Sequence, residues 1–587
     1  MHSFRRALRG FRLPSFATPR PDSHLGPGPA GRRTLRFYFI KPSTYDDDGY
    51  ALQFRWGTIP NNTLTVLAAL NDAVAAARAD VHIQTVLWDE LVDGALSSTD
   101  VEAICERAAR DGVDLVIGLA GVQTNQYPRA RDIALQFVRL QATVLMGGFH
   151  VSSHAPTREF LQPVGITVVV GEAETTWPVI VDDYLRGALQ PCYRVTDGVR
   201  AKTGQADITV PPIGNVALPK VDARYLQRFF NPSLTTIETS RGCPFTCSYC
   251  AVKNVMGRTM RAREPQRVVD WIREAHDRHG IRSLFLVDDD FFRSPRWEEV
   301  LSRMAALRRD GRDLWFMMQA DVESAADAAF PHGQRSRRFI DLAAAAGCYT
   351  VFMGFESFDP VNLEQAQKFH NEAKQDRRQR AARPRDAAAR VKARYRQAID
   401  NWHRAGVGVH CGYIIGLPHD GKGCGARAAQ ELAEVGVDLA SFFVHTLLPG
   451  TEDYFAAQAA GTIVNHDFND YDSMHYAGSH PTLTTEEIHR EFREAWTTFY
   501  SWRRVAWSLA SAHRVAGLGL ASRLGMLMQQ LYFTYSIRRG WHPMLGGIGR
   551  RYDPATRRRV VWDRDAAEHY LGVVPPAHVP RPSRLAS

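Results

Sequence analysis

Short apolar runs alternate with helix-like segments along the first 190 residues. The runs lie at 35–42, 81–88, 114–121, 143–148 and 165–171. Strands that alternate with helices are typical of a parallel sheet covered on both faces, whose ligand lies beyond the carboxyl ends of the strands. Several runs also end in glycine, which lets a ligand approach the backbone closely. The pattern therefore predicts a doubly wound, Rossmann-like α/β domain over residues 34–190.

A second alternating series follows a proline-punctuated segment, 191–232, which we interpret as a linker. Its apolar runs lie at 234–240, 283–290, 313–320, 349–357, 407–418 and 437–450. Six strand–helix units of this kind predict a partial or full (β/α)6 barrel of the TIM type over residues 233–455. In such barrels the chemistry takes place at the carboxyl ends of the strands.

The remaining segments have different patterns. Residues 1–33 are rich in Arg, Ser and Pro, which predicts a disordered leader, with a transit peptide as the alternative. The highly charged stretch 372–393 predicts a solvated helical insertion. Residues 456–587 contain helix-like segments with many aromatic side chains, so we expect a mainly helical C-terminal module.

Composition narrows the class of protein. The 587 residues include only eight cysteines, which is too sparse for a disulfide-stapled secreted protein and favours a reducing, cytoplasmic setting. The net charge of +9 is spread along the chain without a basic stripe interleaved with aromatics, so no nucleic-acid partner is expected. No apolar run reaches the ~18 residues that suggest a transmembrane helix.

Three of the eight cysteines lie together in the stretch RGCPFTCSYC, residues 241–250. A structural zinc site normally takes four ligands, whereas this C-x3-C-x2-C spacing offers three with no fourth close behind. Three thiolates can hold three irons of a four-iron cluster and leave the fourth iron open. The stretch also begins at the end of a predicted barrel strand, which is where a barrel enzyme places its reactive centre.

This motif, with Tyr249 directly before Cys250, resembles that of the radical S-adenosylmethionine (SAM) superfamily. The resemblance implies that Cys243, Cys247 and Cys250 bind a [4Fe-4S] cluster whose open iron holds SAM. Reductive cleavage of SAM would then generate a 5′-deoxyadenosyl radical. An electron donor such as flavodoxin or ferredoxin is the implied partner.

Other barrel segments fit the same resemblance, namely VDDDF (287–291), GFES (354–357) and GYIIGLP (412–418). The SAM contacts implied are Tyr249, Asp288, Asp289, Glu356, Gly412, Ile414 and Gly416. Carboxylates at strand ends are also good helix caps, and a strand glycine can serve close packing instead. Both alternatives stay open.

The N-terminal sheet together with this barrel resembles the cobalamin-binding subfamily of radical SAM proteins. The cobalamin contacts implied are Thr124, Gly147, Gly148, Gly171 and Glu172, in strand-end loops. The sequence departs from the D-x-H-x-x-G pattern whose histidine ligates cobalt, because the loop after the first run reads YDDDGY (45–50). The local candidates near the lower face of the cobalt are Tyr45, Asp46, Asp47, Asp48, Tyr50 and Trp56.

The leading prediction is a cobalamin-dependent radical SAM enzyme that C-methylates a small or lipid-like metabolite. One alternative is a non-methylating cyclase or ring-rearranging enzyme with the same cofactors. Two others are a tRNA-modifying methylthiotransferase-like enzyme and a catalytically silent cobalamin or redox sensor. Several C-terminal aromatic residues could line an apolar pocket or pack helices together: Trp496, Phe499, Tyr500, Trp502, Trp507, Tyr532 and Phe533.

Overall fold

The computed structural model of the chain describes residues 19–194, 212–326, 333–372, 386–504, 506 and 520–558. The strands are β1 (Arg33–Lys41), β2 (Gln53–Gly57), β3 (Val81–Asp89), β4 (Asp114–Leu119), β5 (Thr143–Gly147), β6 (Ile166–Val170), β7 (Cys192–Arg194), β8 (Leu234–Ile237), β9 (Ser240–Arg241), β10 (Arg261–Ala262), β11 (Ser283–Leu286), β12 (Trp315–Gln319), β13 (Cys348–Glu356), β14 (Gly408–Ile415), β15 (Leu439–Val444) and β16 (Gly547–Arg551). The helices are α1 (Asn62–Ala77), α2 (Glu90–Asp93), α3 (Ser98–Asp111), α4 (Tyr127–Arg139), α5 (Phe149–Ser153), α6 (Ala155–Leu161), α7 (Trp177–Leu185), α8 (Ala223–Leu226), α9 (Val252–Val255), α10 (Pro265–His279), α11 (Trp297–Arg309), α12 (Gly333–Ala346), α13 (Pro360–Gln365), α14 (Ala387–Arg404), α15 (Cys424–Val435), α16 (Glu452–Ala460), α17 (Thr485–Phe499) and α18 (Leu520–Arg538).

The first sheet consists of six parallel strands in the order β3-β1-β4-β5-β6-β7. Its central strand β1 is almost continuously buried, as expected for a strand covered on both faces. The helix α3 begins with a capping box formed by Ser97 and Asp100 and ends at Gly112 in the left-handed conformation. The doubly wound prediction is confirmed. The strand order reverses between β1 and β4, which is where such sheets open toward a ligand.

The second sheet also has six parallel strands, in the order β8-β11-β12-β13-β14-β15. Its edge strands are β8 and β15, so it forms an open, partial barrel, and the barrel prediction is confirmed. Most of the strands are shorter than the apolar runs that predicted them. The chain beyond each carboxyl end turns into a loop, and those loops carry the candidate chemistry.

The C-terminal part covers the open edge of the barrel and also reaches the first sheet. Helix α17 packs on α15 and β15, with Trp496 and Phe499 buried between them. Strand β16 pairs antiparallel with β2, and Ile548 lies opposite Trp56. The sequence did not predict this pair, because β2 lies in a segment interpreted as a loop and its partner is almost 500 residues away. The predicted domain boundaries themselves stay predictions.

Part of the predicted leader is ordered against the first sheet. Asp22 is fully buried, where its carboxylate accepts a hydrogen bond from the Tyr38 hydroxyl at 3.1 Å and lies 3.3 Å from Arg107. The prediction of disorder is therefore wrong for residues 19–32, because this segment buries a paired charge. Residues 1–18 lie outside the described chain, as does most of the predicted insertion (373–385). No helix in the described ranges is long and apolar enough to cross a membrane.

Candidate active site

Three cysteines lie in the loop that follows β8 and β9, at the carboxyl ends of the barrel strands. Cys243, Cys247 and Cys250 are free thiols. The loop is fixed at its base by the antiparallel pairing of β9 with β10. Gly242 has a φ of 97°, and a Cβ atom there would lie 2.5 Å from the Thr259 carbonyl oxygen. Only glycine fits at this position, and it directs the chain into the thiol loop.

The chemistry of these thiols fits an iron–sulfur cluster. Burial raises the pKa of all three thiols, that of Cys250 to about 12, and neighbouring thiols also raise the pKa of Cys243 and Cys250. Thiols of this kind lose their protons to a metal rather than to water. Three thiolates in one loop suit a cluster in which each thiolate binds a different iron.

Two predicted SAM contacts meet beside the thiol loop. Burial and the neighbouring Glu356 carboxylate raise the pKa of the Tyr249 phenol, and the Lys368 ammonium lies 2.9 Å from the same carboxylate. Glu356 has a φ of 61°, a strained value for a residue with a side chain. A Cβ atom at Gly354 would lie 2.2 Å from Glu356 Oε1, so a side chain there would displace the Glu356 carboxylate. The end of β13 thus presents a charged pair next to the cysteines.

The two predicted aspartates support the start of the thiol loop. Asp288 accepts hydrogen bonds from the backbone and hydroxyl groups of Thr239 and Ser240. Asp289 accepts one from the Gly242 backbone at 3.1 Å. Burial raises the pKa of Asp288 to about 6 and that of Asp289 to about 7. The Asp288 carboxylate is thus engaged by the protein, and its contact with SAM stays a prediction.

The three predicted contacts on β14 lie beside β13. Gly412 is opposite Gly354, and a Cβ atom at Gly412 would lie 3.1 Å from the Phe352 ring. Gly416 has a φ of 88°, and its N–H donates to the Asp420 carboxylate at 2.8 Å. Because alternate residues of a strand share a face, Gly412 and Ile414 lie on the same face of β14.

Four predicted cobalamin contacts lie at the carboxyl edge of the first sheet. Thr124, Gly147, Gly148 and Gly171 follow or end β4, β5 and β6. Gly148 has a φ of 141°, and a Cβ atom there would lie 2.1 Å from the Val122 nitrogen. These loops therefore pack too closely to admit a side chain at Gly148.

The fifth predicted contact, Glu172, is bound by the barrel. Its carboxylate accepts hydrogen bonds from Arg241 at 2.9 Å and from Arg261 at 2.9 Å. Both guanidiniums and the carboxylate are buried, so these ion pairs hold the first sheet against the thiol loop. A direct contact of Glu172 with cobalamin stays a prediction. The wider network consists of Glu172, Glu174, Glu238, Arg241, Arg261 and Arg263.

The candidates proposed for the lower face of cobalt are largely tied to other parts of the protein. The Tyr45 hydroxyl donates to Asp132 at 2.8 Å, and Asp46 forms an ion pair with Arg550. Asp47 lies 3.5 Å from the imidazole of His475. A cavity lies between the two sheets, and none of the six candidates lines it.

That cavity has a volume of about 710 Å3 and extends into the barrel. Its walls come from the first domain, the barrel and the C-terminal part, and include Ser43, Asn125, Phe285, Met317, Phe352, His410, Phe443, Tyr532, Phe533 and Met544. This volume is within the range of ~300–1,000 Å3 that is usual for small-molecule sites. Among the aromatic residues singled out from the sequence, Tyr532 and Phe533 line the cavity. Trp496, Phe499 and Tyr500 are buried in packing contacts, Trp502 is exposed, and Trp507 lies outside the described ranges.

The sequence analysis missed the polar residues of the cavity, among them His410 on β14. The sequence feature that could have indicated His410 is the strand GVHCGYII, in which alternation places His410 on the same face as Gly412 and Ile414. That alternation alone does not show which face points into the barrel.

The fold and the thiol loop define a barrel enzyme with a cluster-type cysteine motif, joined to a doubly wound sheet. Residues 237–432 match the family described as the Radical SAM superfamily. This match identifies residues 237–432 as a Radical SAM domain, which implies SAM and a [4Fe-4S] cluster as its cofactors.

Its curated relatives are named methyltransferases. An uncharacterised methyltransferase of Synechocystis sp. is 24% identical over 333 residues, which cover 57% of this chain and 54% of that protein. The bacteriochlorophyllide d C-12(1)-methyltransferase of Chlorobaculum tepidum is 24% identical over 332 residues, which cover 56% of this chain and 62% of that protein. The chain therefore spans between half and two thirds of the length of these two relatives.

The fold is similar to that of OxsB, a cobalamin-dependent SAM radical enzyme whose structure was solved with aqua-cobalamin bound. The superposition has a TM-score of 0.55 at 14% identity and covers 86% of this chain and 72% of OxsB. The likeness extends over both sheets and shows a shared architecture.

Proposed function

We propose that the chain is a cobalamin-dependent radical SAM methyltransferase that adds a methyl group to carbon in a small or lipid-like metabolite. The main support is the cluster of three thiols at the barrel mouth, one buried and two partly buried, facing the carboxyl edge of a doubly wound sheet. The methyltransferase names of the relatives and the cobalamin in OxsB support the same proposal. The mainly apolar cavity between the sheets favours a lipid-like substrate.

The chain's own residues would bind and orient the cofactors. Cys243, Cys247 and Cys250 would ligate the cluster, and the pair of Glu356 and Lys368 would face the polar end of SAM. The bound cofactors supply the electron that cleaves SAM and the methyl group that is transferred. The protein contributes positioning and the exclusion of water.

The remaining predicted contacts complete the two cofactor sites. Asp289 would lie near the amino group of SAM, and Gly412, Ile414 and Gly416 would lie along its adenine. Thr124, Gly147, Gly148 and Gly171 would let the cobalamin tail approach the edge of the first sheet. A flavodoxin or ferredoxin would supply the electron.

Anaerobic reconstitution with iron, sulfide and hydroxocobalamin, followed by dithionite and SAM, tests the proposal. We expect deoxyadenosine to form in the wild type and in Cys105→Ala, a control outside the thiol loop, and to disappear in Cys247→Ala. Cobalamin should remain bound through gel filtration. A cluster that never cleaves SAM would instead indicate a silent sensor, and a colourless, zinc-loaded protein would contradict the assignment.

A further inference from the structure

Two histidines, His410 and His542, lie in the lining of the cavity. His410, on β14, is buried, and its ring centroid lies 5.0 Å from that of Phe352 and 6.4 Å from that of Phe533. Its neighbours on the cavity wall are mainly aromatic and methionine side chains. A polar ring at such a position costs about 1–3 kcal/mol unless its nitrogen atoms find partners.

One ring nitrogen of His410 has a partner. Nε2 lies 2.8 Å from Ser441 Oγ, which itself lies 3.4 Å from the sulfur of Met544. The Ser441 hydroxyl can donate to Nε2 or accept from Nε2–H, so this contact holds the ring in either tautomer. The other ring nitrogen, Nδ1, is left with one hydrogen bond to make.

Nδ1 has no hydrogen-bond partner within the described part of the chain. Burial lowers the pKa of His410 to about 4, so the ring is neutral at physiological pH. Nδ1 can bind a ligand hydroxyl or amine, which donates to its lone pair in one tautomer and accepts from its N–H in the other. His410 is therefore one of the polar groups in a largely apolar lining, and such groups fix the orientation of a ligand in small-molecule sites.

The strand register gives the distance from this contact to the thiol loop. Phe352 lies opposite His410, and Glu356 lies opposite Tyr413, three residues further along β14. Three residues of strand span ~10 Å. Because Glu356 is beside the cysteines, a ligand that extends from the thiol loop to His410 is elongated.

We propose that His410 is a specificity-determining residue that hydrogen-bonds a hydroxyl or amine of the substrate through Nδ1. The substrate class is then an elongated, largely apolar molecule with a hydroxyl or amine ~10 Å from the carbon that is methylated. This inference rests on the proposed function for the identity of the reacting end. The binding contact itself is independent of SAM cleavage.

A matched pair of fluorescent probes tests the contact: 9-phenanthrol carries one hydroxyl, and phenanthrene is its hydrocarbon counterpart. Both are titrated into the full-length reconstituted protein, and the ratio of their Kd values is compared among variants. A hydrogen bond contributes about 1–1.5 kcal/mol, so His410→Phe should shift the ratio about tenfold against phenanthrol. His410→Gln should restore part of the preference.

Tyr532→Phe is the matched control, since the Tyr532 hydroxyl lines the same cavity but already donates to the Gly547 carbonyl at 2.7 Å. It should leave the ratio unchanged. If His410→Phe does not fold, Ser441→Ala replaces it, and the loss of the hydroxyl that holds the ring should reduce the preference two- to threefold. An unchanged ratio in the folded His410 or Ser441 variant, or a wild type that binds neither probe, overturns the proposal.

Failure of this inference and failure of the proposed function are distinguishable. Cys247→Ala should abolish deoxyadenosine formation and leave the probe ratio intact. A protein that keeps the hydroxyl preference but never cleaves SAM would retain the His410 site and lose the methyltransferase proposal. A protein that cleaves SAM but shows no His410-dependent preference would retain the methyltransferase proposal and lose the His410 site.

Discussion

Glu172 of the first sheet forms a buried ion pair with Arg241, two residues before the first cysteine of the thiol loop. The carboxylate and the guanidinium approach to 2.9 Å, and Arg261 binds the other carboxylate oxygen. Buried charges interact strongly when each is paired, and each is costly when its partner is lost. This pair therefore fixes the carboxyl edge of one sheet against the reactive mouth of the other.

Replacing Glu172 with glutamine should destabilise the protein strongly. The change removes the carboxylate charge that Arg261 binds and one of the three carboxylates around Arg241, and breaking a buried pair costs ~3–5 kcal/mol. We expect a loss of about 3 kcal/mol in the free energy of unfolding, measured by urea denaturation. In a double-mutant cycle, Glu172→Gln combined with Arg261→Gln should cost clearly less than the sum of the single changes.

The matched control is Glu274→Gln, since Glu274 pairs with Arg278 on an exposed face of α10. An exposed pair contributes less than about 1 kcal/mol, so this variant should be nearly neutral. Equal effects of the two glutamine substitutions would contradict a structural role for the Glu172 network.

The stability of the protein should fall between about pH 6.5 and pH 9 because of His475. Burial by itself lowers the pKa of His475, but its contacts with Asp472, Asp470 and Asp47 raise it to about 9. A histidine whose pKa is higher in the folded state contributes stability below its unfolded pKa. That contribution is lost as the pH rises through the folded pKa.

Unfolding free energies of wild type and His475→Gln at pH 6 and pH 9.5 measure this contribution. The difference between the two proteins should shrink by about 3 kcal/mol at the higher pH, since the pKa rises from 6.5 to about 9 and one pKa unit corresponds to about 1.4 kcal/mol. His279→Gln, at the exposed end of α10, should show no such change. A pH-independent difference for His475→Gln would refute the prediction.

Alanine at Gly148 should disrupt the predicted cobalamin edge. The added methyl would meet the Val122 backbone at 2.1 Å, and the φ of 141° is unfavourable for alanine. We expect a loss of more than about 2 kcal/mol in unfolding free energy and weaker retention of cobalamin in gel filtration. Gly187→Ala is the control, because it has a positive φ but no atom within 4 Å of the added Cβ. Its cost should stay near ~1 kcal/mol.

Removing the Tyr500 hydroxyl should weaken the open edge of the barrel. This hydroxyl donates to the Ala440 carbonyl at 2.7 Å and accepts from the Ala440 N–H at 2.9 Å, so it satisfies the edge strand β15 as a neighbouring strand would. Tyr500→Phe leaves both buried backbone groups unpaired, which should cost about 2–3 kcal/mol. Tyr535→Phe, on an exposed part of α18, should change stability by less than ~0.5 kcal/mol. Thermal unfolding of both variants measures these two changes in stability, and equal changes would contradict the role of the Tyr500 hydroxyl.

Much of the fold could be predicted because its elements are locally encoded. The apolar runs that became β1, β4 and β6 are buried on both faces and read as strands without knowledge of their neighbours. The thiol loop was equally visible, since three cysteines in eight residues are a short-range pattern. Asp22 shows where the prediction failed, because nothing local indicated that this leader residue is buried against Tyr38.

The cavity and its polar contact could not be predicted, because their residues come from distant parts of the chain. His410, Ser441 and Met544 are adjacent only when β14, β15 and the C-terminal segment are packed together. Glu172 likewise looked like a cofactor contact in the sequence, and only the packing of the two sheets pairs it with Arg241 and Arg261.

The sequence by itself determined the alternation of strands and helices, the two α/β units and the three-cysteine motif, because each depends on residues close together in the chain. The tertiary structure decided how the two sheets face each other, which carboxylates form ion pairs, and which polar side chains line the cavity. Those features depend on long-range packing, in which an ordinary side chain becomes a buried, paired charge or a buried hydrogen-bonding group.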